Sequence, residues 1–183
     1  MVLTVAGTDR PGLIEALARI VHDHGGNWEH GRLAELAGLF AGLVVVDVPD
    51  GRADGLRAAL RELDATLHVG VHEAPAAGAP SRPADPAHDP GDGGGRPPAR
   101  TLTLGLVGND HPGIVQDLSA VFARHGVSID HLHTDTRDAP MDGARLFEAR
   151  LVAPLDAAAD LDALRADLET IAAELMVDLT LDP

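Results

Sequence analysis

Two turns of the sequence bring together residue types that can bind a small zwitterion. They span residues 7–14 and 108–115 and share the pattern Gly-x-Asp-x-Pro-Gly followed by two aliphatic residues. A helix that begins at such a turn has first-turn amides without an intrahelical partner, and its dipole favours an anion there. The turns therefore predict amide donors for a carboxylate, and their aspartates predict acceptors for an ammonium group.

The predicted ligand-binding residues lie in these turns and in the segment that follows each helix. Proline is expected at the first helical position, and the glycine after it allows a ligand to approach the backbone closely. The amides at 12–13 and 113–114 are the expected carboxylate donors. The full predicted set is Asp9, Pro11, Gly12, Leu13, Asn27, Asn109, Asp110, Pro112, Gly113, Ile114 and Ser128.

Asparagine provides a donor and an acceptor in one side chain, and the chain has only two asparagines. Asn27 is predicted to open the second strand of the first half, and Asn109 to lie in the second turn. Ser128 occupies the position that matches Asn27, which predicts two sites that are not equivalent.

A purely structural interpretation of the same residues remains open. Asp9 and Asp110 are also the residue type that caps a helix by accepting a bond from a first-turn amide. Asn27 follows two glycines and is equally typical of a turn.

The two halves of the chain repeat each other. A shift of 101 residues gives nine identities across the 28 positions from 3 to 30, among them Asp9/Asp110 and Pro11/Pro112. Each half has the pattern of a βαββαβ unit, which predicts an α+β fold of two ferredoxin-like units. We expect the units to lie side by side in one antiparallel sheet with the helices on one face.

The segment 74–99 differs in composition from both halves. It holds seven of the 13 prolines and five of the 20 glycines, and it has no Val, Ile, Leu, Met or aromatic residue. Such a Pro/Gly/Ala-rich stretch cannot bury enough apolar surface to fold. The predicted organisation is therefore unit 1 at 1–73, a linker at 74–99 and unit 2 at 100–183.

Composition and charge exclude several classes of function. The formal net charge is −15, all 14 basic residues are arginine, and cysteine is absent. Thiol chemistry, disulfides and lysine-based phosphate loops are thereby excluded. So acidic a chain is not expected to bind nucleic acid or an anionic membrane by itself. The N-terminus lacks a signal pattern and no apolar run reaches membrane-span length, which predicts a cytoplasmic protein.

The turn Gly7-Thr8-Asp9-Arg10-Pro11-Gly12-Leu13-Ile14, with Gly26-Asn27-Trp28-Glu29 after its helix, resembles an ACT domain. The matching turn of the second half, with Gly126-Val127-Ser128-Ile129, resembles another. A chain of two such units is similar to the glycine cleavage system transcriptional repressor family. This resemblance implies a non-catalytic regulator without a cofactor that binds a small amino acid, glycine or serine, at the interface between units. It further implies a homodimer and a protein partner such as a transcription regulator.

Two other functions are compatible with the residues. The ten histidines could, with carboxylates, support a metal-assisted hydrolase, although no compact metal-binding motif such as His-Glu-x-x-His is present. The chain could also be a structural interaction module whose sites bind no ligand.

Overall fold

The computed structural model describes residues 1–63, 66–73, 100–138, 145–156 and 159–182. The elements of the first half are β1 (Val2–Thr8), α1 (Leu13–Asp23), β2 (Asn27–Leu36), β3 (Leu39–Asp47), α2 (Ala53–Glu62) and β4 (His68–His72). Those of the second half are β5 (Arg100–Asn109), α3 (Ile114–Arg124), β6 (His131–Asp138), β7 (Arg145–Leu155), α4 (Leu161–Leu175) and β8 (Asp178–Asp182). The predicted βαββαβ order is present twice. The predicted linker at 74–99 lies outside the described residues.

All eight strands form one antiparallel sheet in the order β4-β1-β3-β2-β6-β7-β5-β8. The halves meet where β2 pairs with β6, with Gly31 opposite Thr134 and Arg32 opposite His133. The expectation of a continuous sheet is therefore confirmed. We call this β2–β6 junction the seam.

The hydrophobic core lies between one face of the sheet and the helices. Residues along β1, β5 and β6 alternate between buried and more exposed positions, as expected for strands covered on one side. Aliphatic residues at helical spacing on α1, including Leu13, Leu17 and Val21, are at most 4% exposed. The core joins both halves, because α1 packs against α3. The opposite face of the sheet carries no helix within the described residues.

The side chain of Trp28 fixes the seam on the helix side. Its indole Nε1 donates a hydrogen bond of 3.0 Å to Thr134 Oγ1, and the side chain is 4% exposed. Gly31 makes room for this bond, because a Cβ there would lie 2.9 Å from both bonded atoms. The seam is thus held by side chains as well as by the strand ladder.

Candidate functional site

Helices α1 and α3 begin two residues later than the prolines predicted, after a glycine. Pro11 and Pro112 lie in the turns, whereas the N-cap residues Gly12 and Gly113 have left-handed backbone with φ of 87° and 97°. Other residue types rarely adopt this backbone, which explains glycine at both places. The expectation of proline at the first helical position is therefore wrong, since the glycine turn has to precede the helix.

Neither helix tip is capped by a side chain. The carboxylates of Asp9 and Asp110 accept hydrogen bonds from the other unit instead. The interpretation of these aspartates as helix caps is therefore wrong. First-turn amides at both tips remain without a side-chain acceptor.

Each tip faces the other unit because α1 and α3 pack antiparallel. A Cβ at Gly12 would lie 3.7 Å from the Cβ of Ala123 near the end of α3, and one at Gly113 would lie 3.3 Å from the ring of His22 near the end of α1. The fold therefore produces two related clefts between the units. We call them the Gly12 cleft and the Gly113 cleft.

A direct hydrogen bond joins the two units beside the Gly12 cleft. Ser128 Oγ donates to Asp9 Oδ2 over 2.6 Å. The cleft measures about 250 Å³ including its part open to solvent, and it is lined by residues of both units, among them Asp9, Gly12, Leu13, Phe122, Val127 and Ile129. Ser128 lies in the loop before β6, which begins at His131, so Ser128 does not open a strand as its counterpart Asn27 does.

A further carboxylate, that of Asp130, lies near Asp9 of the Gly12 cleft. Burial raises the pKa of Asp130 above its ordinary value, and the negative charges of Glu35 and then Asp9 raise it further. Of these three carboxylates, that of Asp9 lines the Gly12 cleft. Position 130 was not predicted, because nothing in its local sequence indicates that three carboxylates from different elements approach one another.

The Gly113 cleft combines an uncapped tip with buried oxygens that lack partners. Asn27 Nδ2 donates to Asp110 Oδ2 over 2.9 Å, and the Asp110 side chain is 4% exposed. The Oδ1 atoms of both residues, and Nε2 of His111, are buried without a hydrogen-bond partner. The cleft measures about 210 Å³ including open solvent, and Val21, His22, Asn27, Trp28, Gly113 and Ile114 line it.

A charged pair lies at the edge of the Gly113 cleft. Arg145 Nη2 donates to Glu29 Oε1 over 2.6 Å, and its Nη1 lies 3.8 Å from Asp110 Oδ2. The hydrogen bond to Glu29 raises the pKa of Arg145 above its ordinary value. The guanidinium therefore compensates part of the charge of Asp110. Neither Arg145 nor Glu29 was predicted, since only the pairing of distant strands brings them to the tip.

Asn109 does not lie where the sequence indicated. It is the last residue of β5, opposite Leu146 of β7, and its side chain is exposed. The strand continues for two residues into the predicted turn, because β7 pairs with Gly108 and Asn109. Asn27, by contrast, opens β2 as expected.

The carboxyl group of Asp130 leads to a prediction about stability. Because the pKa of Asp130 is raised in the folded state, ionisation of its carboxyl group opposes folding. The stability that the protonated carboxyl contributes therefore declines as the pH rises above about 3.8. Asp130→Asn is therefore expected to raise the free energy of unfolding at neutral pH, by less than about 1 kcal/mol because the side chain is only half-buried.

The gain from Asp130→Asn should vanish when the pH is lowered below about 3.8, where the native carboxyl is protonated. Urea unfolding at both pH values measures it. The matched control is Asp178→Asn on exposed β8, which removes the same charge without that burial. An equal gain from both variants would show that net charge, and not the site, is responsible.

The histidines do not assemble into a metal site in the described part of the chain. No group of three or more His, Asp or Glu side chains converges there as a metal ion requires. The metal-assisted hydrolase therefore has no structural counterpart among these residues. No helix in the described ranges is long and apolar enough to span a bilayer.

The fold and the paired clefts define a class of protein: tandem βαββαβ units with a cleft on each side of the helix pair that joins them. Family models for the ACT domain match residues 1–72 and 102–169. The chain belongs to the ACT-domain family and carries two ACT domains in tandem. Because ACT domains generally bind amino acids, this membership supports a regulatory, amino-acid-sensing role.

Several solved structures are similar to the chain. An unknown protein from Galdieria sulphuraria is 25% identical, with coverage of 99% of this chain and 95% of that chain and a TM-score of 0.45. A candidate glycine cleavage system transcriptional repressor is 20% identical, with coverage of 99% and 94% and a TM-score of 0.40. Aspartate kinase from Synechocystis is 15% identical, with coverage of 94% and 26% and a TM-score of 0.58.

The likeness to the aspartate kinase, with a TM-score of 0.58, supports the fold. No curated protein matches the chain by sequence.

Proposed function

We propose that the chain is a non-catalytic regulatory protein that binds a small free amino acid in the clefts between its two ACT domains. The observation that supports this most directly is the pair of buried, unpartnered Oδ1 atoms of Asn27 and Asp110 beside an uncapped helix tip. Buried polar atoms are almost always hydrogen-bonded, so two such acceptors together favour a ligand that donates several hydrogen bonds.

An amino acid matches both parts of the Gly113 cleft. Its ammonium group can donate to Asp110 Oδ1 and Asn27 Oδ1, and the negative charge of Asp110 favours a cation. Its carboxylate can accept from the first-turn amides of α3 other than that of Ile114, which donates to His111 O over 3.5 Å, and the helix dipole there favours an anion. An amine or a carboxylic acid alone would satisfy only one half of this arrangement.

The dimensions of the clefts favour a small ligand, which agrees with the proposal of glycine or serine. The enclosed part of either cleft has room for about one water molecule. Trp28, 4% exposed, and Ile114, 1% exposed, are packed in the core and leave little space for a large side chain. A ligand must therefore part the two units slightly as it enters.

The two clefts should differ in affinity. Asp9 already accepts a hydrogen bond from Ser128, and Asp130 adds charge unfavourable to a ligand carboxylate. The Gly113 cleft retains unpartnered acceptors and has Arg145 within 3.8 Å of Asp110. We expect the Gly113 cleft to bind first.

Binding at this place can act on the arrangement of the domains. The hydrogen bonds Ser128–Asp9 and Asn27–Asp110 each connect one domain to the other. A ligand that replaces either bond shifts the equilibrium between two packings of the domains. We propose that a protein partner, such as a transcription regulator, recognises one packing, and that the chain works as a homodimer.

Titration calorimetry against the twenty amino acids tests the proposal. Glycine or serine is expected to bind with one site per chain filled first and a weaker second site. Glycinamide and N-acetylglycine, which lack one of the two charges, should bind much more weakly. If no amino acid binds, the chain is better described as a structural interaction module.

A further inference from the structure

A row of basic side chains crosses the centre of the sheet face that carries no helix. Arg32 of β2 pairs with His133 of β6, and His133 pairs with Arg150 of β7. Along β6, His133 alternates with the buried Leu132 and Thr134, so it lies on the opposite face. Arg32 and Arg150 likewise lie between buried residues of their own strands and share this face. Adjacent strands are about 4.8 Å apart, which places the two arginines about 10 Å apart with the histidine between them.

Acidic neighbours of the row are already engaged by other groups. Asp135 Oδ1 lies 2.8 Å from His30 Nδ1, and Glu148 accepts a hydrogen bond from Arg137. Further neighbours on the same face include Ala34, Leu43, Gly105, His131 and Val152, none of which carries a carboxylate. Arg32 and Arg150, both exposed, form no ion pair within the described residues. The row is therefore locally positive on a chain of net charge −15.

The electrostatics of His133 agree with this geometry. Burial lowers the pKa of its ring below the ordinary value, and the positive charges of Arg32 and then Arg150 add to that effect against Asp135 and Glu148. The guanidinium groups thus lie close enough to act on the ring. In addition, Nδ1 of His133 is buried without a hydrogen-bond partner.

We propose that Arg32, His133 and Arg150 form a binding site for a doubly charged oxyanion of the phosphate or dicarboxylate class. Each guanidinium can donate two parallel hydrogen bonds to such an anion, and the two arginines flank one position above the histidine. Arg32 belongs to the first domain, and the other two residues belong to the second. The anion would therefore bind across the seam, on the face opposite the amino-acid clefts and independently of them.

The net charge of the chain distinguishes binding at a specific site from general attraction of anions. A molecule of charge −15 repels anions in general. Saturable binding of an anion thus requires a local site. Sodium chloride should weaken this binding by screening the charges. The probe is inorganic phosphate, with succinate as the dicarboxylate arm and sodium chloride as the control at matched ionic strength.

The experiment follows the ring of His133 by NMR in the full chain during these titrations. Phosphate, succinate or both should shift the His133 signal in a saturable way. The class of anion is identified by which of the two probes produces this shift. Arg32→Gln and Arg150→Gln should each weaken binding about tenfold or more. The matched control, Arg165→Gln on α4, removes an arginine that pairs with Glu169 and should leave binding unchanged.

Arg32→Lys separates charge from geometry, since it retains the cation but loses the planar fork, and it should give intermediate affinity. A His133 signal that does not move beyond the chloride control overturns the proposal. So does binding that persists at full strength in a folded chain with both arginines replaced.

Discussion

Asp110→Asn is expected to weaken binding of the amino acid about 100-fold while the fold is retained. The substitution keeps the size of the side chain and an oxygen that can accept from Asn27, so the 2.9 Å contact can persist. It removes the negative charge that would face the ammonium group. Because the side chain is only 4% exposed, water cannot substitute for that charge. Titration calorimetry with glycine or serine measures the loss.

The matched control for this variant is Asp9→Asn, the same substitution at the position related by the repeat. Asp9 already accepts a hydrogen bond of 2.6 Å from Ser128 and lies in the other cleft. Loss of the negative charge of Asp9 should therefore change the affinity of the tighter site by less than about threefold. Equal effects of both substitutions would contradict the proposed difference between the clefts. A full-affinity Asp110→Asn chain would contradict the assignment of the ammonium group to this carboxylate.

Gly31→Val is expected to destabilise the junction between the domains by about 2 to 5 kcal/mol. A Cβ at this position would lie 2.9 Å from Trp28 Nε1 and 2.9 Å from Thr134 Oγ1. The larger side chain must displace one of them and break their hydrogen bond. The consequence is a lower midpoint of thermal unfolding, and calorimetry should show it together with a broader transition as the domains uncouple.

Two further variants test whether the cause is local. Ala34→Val adds the same kind of side chain on β2 at a half-buried position of the opposite face, and should change stability by less than about 0.5 kcal/mol. Thr134→Ala combined with Gly31→Val makes room for the new side chain by removing the Thr134 hydroxyl. This double variant should recover part of the lost stability. An unchanged midpoint in Gly31→Val would show that the domains are not held together through this contact.

Much of the architecture is encoded in short stretches of sequence. The 101-residue repeat, the helical spacing of Leu13, Leu17 and Val21 and the strand-like runs were sufficient for the element order, because these patterns depend on neighbours in the chain. The two glycine turns were likewise evident as helix starts. Their fine geometry was not, since proline proved to precede a left-handed glycine rather than open the helix.

The candidate site was only partly predictable. Asp9, Asp110, Asn27 and Ser128 were singled out by residue type and by their place in the repeat. Their pairing was not foreseen, because each hydrogen bond joins residues of different domains, 119 and 83 positions apart. Glu29 and Arg145 were not predicted for the same reason, since they meet only because β2 pairs with β6 and β6 pairs with β7.

The sequence by itself determined that this chain has two ACT-like units, which turns precede α1 and α3, and which residue types stand in those turns. Tertiary structure alone decided which cleft retains free acceptors and which basic side chains align across the seam. The physical reason is the separation in sequence between the residues that interact. Helix and strand patterns arise from interactions between close residues, whereas hydrogen-bond satisfaction, burial and strand register depend on packing between distant segments.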